Sequence, residues 1–431
     1  MHRAPSRLAL LLLIPCFAIV AVAQQLTFTP LEPSGIYAPG EKAGWTISLA
    51  AGAAVPASGF KYSLKRNGLD LLKSGELDLS GGKATIETAL AEPGMLFLEV
   101  LPAAANGKRN LAGAAVAPTQ LQPVVPCPAD FDAFWAAKIK LLKSIPVEPV
   151  LTPGESGRTG VEYATVKLNN VGGAHVYGQL ARPAREGKFP AVLILQWAGG
   201  PYPLQKPWVT DRAAEGWLAL NIEAHDVPGN LPQEFYAALP QMIKSYNTIY
   251  NDDRDRNYFL QMILGDYRAL DYLASRPDWD GRTLLVMGTS MGGQQSLSVA
   301  GLHPQITHLI VNVPAGADSN APLHGRAVGY PNWDYTNPKV METGLYFDTI
   351  NFASRIKATC LVALGFVDET CPPAGIWTAF NQIHSPKEAV PMIASPHNHL
   401  ATVEQQRPYT IRSAEWLAAL VKGETIKPAA N

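Results

Sequence analysis

Gly288-Thr289-Ser290-Met291-Gly292-Gly293 follows the apolar run 284–287 and precedes a helix-like stretch that begins at Gln294. The pattern Gly-x-Ser-x-Gly between a strand and a helix has a steric reading. A tight, strained turn holds the serine at the end of its strand with Oγ exposed, and glycines two residues before and two after leave room for close approach. The backbone N–H of Met291 then points toward any carbonyl that the serine attacks. The bare pattern is common by chance. Its place between a strand and a helix makes Ser290 a nucleophile candidate rather than a residue that merely caps a helix.

Outward from this elbow, apolar runs at 191–195, 218–222, 309–313, 360–364 and 390–394 alternate with helical stretches at 258–275, 294–301 and 374–384. Runs at 163–168 and 176–181 precede them and also read as strands. Strands alternating with helices imply βαβ units with right-handed crossovers and a mostly parallel sheet.

Serine is a weak nucleophile at its free pKa. It needs a base, and the base needs an orienting acid. In a sheet of this kind the chain order is serine, acid, histidine. Asp368 stands in Gly365-Phe366-Val367-Asp368, directly after a strand, and is the acid candidate. Glu369 and Asp318 are its rivals, and Asp318 falls one strand too early. Pro396-His397-Asn398-His399 follows the last strand and offers two histidines, between which the residues alone do not choose. His303, His308, His324 and His384 come before that strand and read as surface or satisfied polar residues. A second oxyanion donor is expected from the loop Gln196-Trp197-Ala198-Gly199-Gly200, whose glycines let backbone N–H groups face a cavity.

Residues 24–118 follow a different grammar. Short alternating segments at 45–48, 60–64, 77–79, 84–87 and 95–100 are separated by Asn67-Gly68, Gly81-Gly82 and Pro93-Gly94. This spacing predicts a small, immunoglobulin-like β-sandwich, read as a structural domain packed on the catalytic one in preference to a carbohydrate-binding module. After the break Pro126-Cys127-Pro128, Phe131, Phe134, Trp135, Ile139 and Leu142 recur at helical spacing and predict a helix with one buried face. Arg3 and Arg7 ahead of the apolar run 8–23, with Ala21-Val22-Ala23, read as an export leader cleaved near Ala23. The run is short for a membrane span and Pro15 interrupts it. The predicted organisation is a leader at 1–23, a sandwich at 24–118 and an α/β catalytic domain at 119–426, in a secreted or periplasmic protein.

With 35 Lys and Arg against 36 Asp and Glu, the chain of 431 residues has no basic stripe, so nucleic acid is not an expected partner. Cys127, Cys360 and Cys371 are too few for a disulfide framework. There is no Cys-x-x-Cys or His-Glu-x-x-His, and neither a metal nor a cofactor is expected.

Several segments together resemble the acetyl xylan esterase / cephalosporin-C deacetylase family of α/β-hydrolases, over roughly residues 125–405. Residues 128–135 (Pro-Ala-Asp-Phe-Asp-Ala-Phe-Trp) look like the family's opening helix. Residues 269–277 (Ala-Leu-Asp-Tyr-Leu-Ala-Ser-Arg-Pro) look like the helix before the nucleophile strand. Residues 346–353 and Asp368-Glu369-Thr370-Cys371-Pro372-Pro373 look like the segments around the acid. The resemblance implies Ser290 as nucleophile, Asp368 as acid and His399 as base, because the family histidine usually follows an asparagine. It implies deacetylation of xylan, xylo-oligosaccharides and small acetylated molecules without a cofactor. It also brings a homo-oligomer into view, since the family forms a hexameric ring.

The chain departs from the family pattern in several places. Gln196, Trp197 and Ala198 stand where the family usually has His-Gly-Tyr, which would make Ala198 the second oxyanion donor beside Met291. Residues 224–229 replace an Arg-Gly-Gln segment, Met291 replaces glutamine, and the sandwich is extra. Trp197, Tyr202, Tyr330, Trp333 and Tyr335 are candidates to line the sugar side of the site. His225 is a candidate for its rim, with a structural role as the alternative. The expected activity is a serine carboxylesterase acting on acetylated oligosaccharide or polysaccharide, with no membrane contact once the leader is removed. Two other readings stand beside it. One is a serine peptidase of the prolyl-oligopeptidase type, which shares the elbow but needs a propeller too large for residues 24–118. The other is a non-catalytic binding protein on the same fold.

Overall fold

The computed structural model describes residues 26–53, 59–103 and 108–429. The leader assigned to residues 1–23 lies outside them. Among the described residues, no helix is long and apolar enough to cross a membrane.

A nine-stranded sheet forms the larger part of the fold. In spatial order its strands are Lys387–Met392, Thr359–Gly365, His308–Asn312, Trp279–Thr289, Phe189–Leu195, Leu218–Ile222, His175–Pro183, Val161–Asn169 and Val150–Gly154. The first six run parallel and the last three antiparallel. Leu218–Ile222 is buried throughout and Thr359–Gly365 nearly so. Such strands read as unbroken apolar runs because helices cover both faces. On one face Phe131, Trp135, Phe259, Leu270, Leu297 and Trp377 pack on Leu193, Val286 and Val362. On the other, Trp217, Trp416 and Leu420 pack on Val192, Leu285 and Leu361. This is the α/β-hydrolase architecture. The chain leaves Phe189–Leu195 toward one edge and returns on its other side as Trp279–Thr289. The carboxyl ends of those two strands therefore border the crevice where ligands bind in open α/β sheets.

The N-terminal part is two sheets on one shared core. The strands Leu26–Pro30, Ala43–Leu49 and Lys83–Thr88 form one. The strands Ile36–Tyr37, Asn110–Val116, Gly94–Pro102, Phe60–Arg66 and Asp70–Leu77 form the other. Trp45, Ile47 and Ile86 from the first meet Phe60, Leu64, Leu96 and Leu98 from the second. Four strands differ from the sequence expectation, which has no segment at Leu26–Pro30 or Ile36–Tyr37. Residues 77–79 are not a strand of their own: Leu77 ends the strand Asp70–Leu77, an edge strand whose other seven residues are exposed and so carry no alternation. Asn110–Val116 (Asn-Leu-Ala-Gly-Ala-Ala-Val) went unread for the opposite reason, since nearly all of it is buried.

The helix Phe131–Lys143 begins the α/β part, and its apolar face sits as the spacing predicts, with Phe131, Phe134, Trp135 and Leu142 buried. Trp135 donates its Nε1–H to the Tyr346 carbonyl at 3.1 Å and meets Phe347 and Phe352 edge-on. Trp135→Ala removes that volume and leaves a buried carbonyl unpaired. Its expected cost is about 3–5 kcal/mol, read as a lowered urea midpoint.

Candidate active site

Ser290 sits at φ 59°, ψ −121°, between the strand Trp279–Thr289 and the helix Met291–Leu302. Strain of this kind costs on the order of 1–3 kcal/mol and persists only where the surroundings enforce it. Here the Ser290 N–H donates to the Asn312 carbonyl, and the Ser290 carbonyl accepts from the N–H groups of Gln294 and Ala315, all at 3.0 Å. The flanking glycines are steric necessities. A Cβ on Gly288 would lie 2.3 Å from the Gly292 backbone, and one on Gly292 would lie 2.4 Å from the Leu195 carbonyl oxygen.

The Ser290 hydroxyl donates to His397 Nε2 at 2.9 Å, and His397 Nδ1–H donates to Asp368 Oδ2 at 2.7 Å. The other carboxylate oxygen of Asp368 accepts the N–H groups of Thr370 and Cys371, both at 2.8 Å. All three side chains are buried. The structure thus brings Ser290 and Asp368 together with His397, and His399 is not the histidine between them. The reason is the path of the chain. A Cβ on Gly365 would lie 2.3 Å from the Ser395 carbonyl oxygen, so the turn after the last strand packs directly on the end of the acid strand. His397 is the first histidine past that contact. The Leu400 N–H then bonds back to the His397 carbonyl at 2.8 Å, and His399 is exposed, its ring centroid 5.2 Å from that of His397. Asp318 is occupied elsewhere, paired with Arg326 at 2.7 Å. Glu369 pairs with Arg109.

The loop 196–200 lies against the start of the helix Met291–Leu302. Gln295 Nε2 donates to the Gln196 carbonyl at 3.2 Å and to the Met291 carbonyl at 3.3 Å, fastening loop to helix. The first N–H groups of any helix lack intrahelical acceptors and favour negative charge. The loop backbone at Gln196 is close to this helix start, since a Cβ on Gly292 would lie 3.0 Å from the Gln196 carbonyl oxygen.

His225 lies behind the loop, buried, and not on the rim. Its Nε2 is 3.0 Å from the Gly199 carbonyl and its Nδ1 is 3.0 Å from the Tyr258 hydroxyl. A carbonyl only accepts, so Nε2 carries the proton and Nδ1 accepts from Tyr258. Burial lowers the His225 pKa to about 4, and the neutral ring ties down the loop. The Tyr246 and Tyr330 hydroxyls lie 2.5 Å apart, at 3.0 and 3.4 Å from the Met291 sulfur. Of the two, the sequence offers Tyr330 as a sugar-side candidate and gives no sign of Tyr246, because they come from loops remote in sequence; Tyr330 is instead tied to Tyr246 and Met291.

The other candidates separate by exposure. Trp197 is 37% exposed; its ring stacks with Tyr202 at 6.2 Å and meets Trp208 edge-on at 4.8 Å. The Tyr202 hydroxyl donates to the Trp197 carbonyl at 3.0 Å, so it braces the loop. Tyr335 is exposed. Trp333 is 6% exposed, donates its Nε1–H to the Asn247 carbonyl, and packs edge-on to Phe259. It is a core residue rather than a sugar platform. Cys371 is buried beside Asp368, whose Oδ1 accepts its N–H at 2.8 Å, and burial pushes its thiol well above its ordinary pKa.

The family model for acetyl xylan esterase matches residues 119–320 and 330–415. An acetyl esterase named Axe7A, from Xylanibacter ruminicola, is 30% identical over 403 residues, covering 91% of this chain and 90% of its own. The chain belongs to the acetyl xylan esterase family. The enzyme is a carboxylic-ester hydrolase, and its similarity to the Xylanibacter protein is too long to be confined to residues 119–431. Two solved structures are also similar. The acetyl xylan esterase of Paenibacillus sp. R4 is 25% identical with a TM-score of 0.59, matching 69% of this chain and 98% of that one. Acetyl xylan esterase 1 of Thermoanaerobacterium sp. JW/SL YS485 is 21% identical with a TM-score of 0.57, matching 70% and 97%. Nearly all of each solved chain is thus accounted for by about 70% of this one.

His225 gives the esterase a defined acid sensitivity. Its folded pKa of about 4 lies below the ordinary 6.5, so the unfolded chain binds the proton first as pH falls. The stability associated with a neutral His225 is fully present above pH 6.5 and is lost between about 6.5 and 4. Between pH 7 and 5 this one residue is expected to account for about 2 kcal/mol. His225→Gln cannot titrate, so its urea-unfolding free energy should fall less than that of the wild type over this interval.

Proposed function

We propose that this esterase removes acetyl groups from xylan-type polysaccharide or its oligosaccharides, outside the cytoplasm, through an acyl-enzyme on Ser290. The observation that carries the reading is the unbroken line from Ser290 Oγ through His397 to Asp368, at 2.9 and 2.7 Å. His397 takes the Ser290 proton as Oγ attacks the acetyl carbonyl carbon. The N–H groups of Met291 and Ala198 hold the oxyanion, and Asp368 fixes the imidazole and stabilises its cationic form. His397 returns the proton to the sugar oxygen as its bond to the acetyl carbon breaks, so the sugar leaves as an alcohol. His397 then activates water, which releases acetate and restores the serine. Trp197 offers a half-exposed indole face beside the oxyanion loop, suited to stacking on a sugar ring. The names of the Xylanibacter relative and the two solved structures support acetyl ester as the bond cut, and the leader pattern at 1–23 supports export. A peptidase of the prolyl-oligopeptidase type finds no support, because the N-terminal part is a two-sheet sandwich rather than a propeller.

The test is acetate release from acetylated xylo-oligosaccharides, beside a nitrophenyl ester series of rising acyl length and an aminoacyl-proline amide. Turnover of the acetyl compounds supports the proposal. Cleavage of the amide alone would reject it. Ser290→Ala and His397→Ala should each lower kcat by a factor on the order of 10⁴ or more and abolish fluorophosphonate labelling. His399→Ala should keep kcat within about three-fold of wild type, because that side chain is outside the hydrogen-bonded line.

A further inference from the structure

The strand Asn110–Val116 is buried on both faces, and its two faces belong to different cores. Ala112, Ala114 and Val116 enter the sandwich core, while Ala115, with Met95 of the neighbouring strand, enters the α/β core. Gly113 shares the outward face with Ala115, because side chains alternate along a strand. It meets the loop that carries the catalytic acid. A Cβ on Gly113 would lie 2.6 Å from both the Cβ and the carbonyl oxygen of Phe366, two residues before Asp368.

That loop is held from two sides. Toward the histidine, the Phe366 N–H donates to the Met392 carbonyl at 3.1 Å and the Val367 N–H to the Ser395 carbonyl at 3.3 Å. Toward the sandwich, Phe366 is buried against Gly113, and Arg109 forms a two-pronged pair with Glu369 at 2.9 and 3.0 Å while its Nε bonds to Glu99. The loop's own N–H groups at Thr370 and Cys371 orient the Asp368 carboxylate. Movement of this backbone therefore moves the acid. The sandwich also touches the histidine side, where a Cβ on Gly35 would lie 3.2 Å from Ile393.

We propose that the sandwich is a positioning element of the active site: the strand Asn110–Val116 is the wall that sets the Phe366–Cys371 backbone and hence the Asp368 carboxylate. Gly113 and Arg109 are its positioning residues, acting through Asp368 and never touching substrate. The proposal rests on the assignment of Asp368 as the triad acid. Ordinary carbon contacts begin near 3.5 Å, so any side chain at position 113 must push the loop by roughly 1 Å. A displacement of that size at a reacting group costs on the order of 10²-fold in rate. The salt bridge is half exposed, so its removal is the weaker perturbation.

The test uses the full chain, nitrophenyl acetate, and a double-mutant cycle. Gly113→Val should lower kcat by about 10- to 100-fold, with KM within about two-fold, because the loop 196–200 and Trp197 are untouched. Asp368→Asn alone should lower kcat by about 10⁴-fold. Adding Gly113→Val to it should change kcat by less than about two-fold, because the strand acts through the acid. Lys42→Ala, which breaks an exposed ion pair with Glu87 on the other sheet, should leave kcat unchanged. Wild-type kcat in folded Gly113→Val, or a full multiplicative loss in the Asp368→Asn background, would overturn the proposal. If Gly113→Val does not fold, Glu369→Ala goes through the same cycle. A few-fold fall in kcat that vanishes in the Asp368→Asn background supports the proposal, and wild-type kcat overturns it. Wild-type kcat in Asp368→Asn would instead remove the triad assignment itself.

Discussion

Three loops leaving the carboxyl ends of parallel strands must hold a hydroxyl, an imidazole and a carboxylate in one hydrogen-bonded line, and the packing of backbone on backbone between those loops makes this hold. The tolerances are set by glycines. Gly288 and Gly292 are pressed together across the elbow, Gly292 against the Leu195 carbonyl, and Gly365 against the Ser395 carbonyl. Each is a place where even a methyl group would separate two loops of the site. The left-handed φ of Ser290 follows from the same closeness, because its N–H and carbonyl are claimed by Asn312 and Ala315 on the adjoining strand and its exit. The strain at the serine is therefore sustained by bonds to the neighbouring strand.

The proposed oxyanion side is built differently from the triad. There the loop Gln196-Trp197-Ala198-Gly199-Gly200 is fastened from behind. His225 holds the Gly199 carbonyl, Gln295 holds the Gln196 carbonyl, and Tyr202 holds the Trp197 carbonyl. Each of these bonds uses a carbonyl oxygen. The loop's N–H groups are left free of those fastenings, which is what an oxyanion donor requires. The neutral state of His225 belongs to this arrangement, since a ring that donates to one carbonyl and accepts from a phenol fills its hydrogen-bonding capacity without charge.

What could be read from the sequence follows the range of the forces involved. The elbow, the parallel run and the acid after its strand are local patterns, in which composition and spacing act over a few residues, and Ser290 and Asp368 lie where those patterns place them. His397 and His399 share one turn. The choice between them depends on how Ser395 packs against Gly365, a contact between strands that no spacing rule encodes, and the asparagine before His399 pointed the wrong way. Trp333 reads as a loop aromatic but is drawn into the core by Phe259 and the Asn247 carbonyl. Met291 and the two tyrosines on it, Tyr246 and Tyr330, come from three separate segments, so only the folded chain brings them together.

The strand Asn110–Val116 shows why the sandwich was the less legible half. A strand with one solvated face advertises itself by alternation, and a strand with two buried faces and little room can only show small residues. Its alanines and glycine fit the narrow space between two cores, and the smallest of them meets the acid loop. A free-standing module on a linker would let polar residues cover that outer face. Burying it, and giving Met95 and Ala115 to the hydrolase core, makes the two parts one packed body around the Asp368 loop. Sequence change on that face of the sandwich is therefore restrained by the same geometry that aligns the triad.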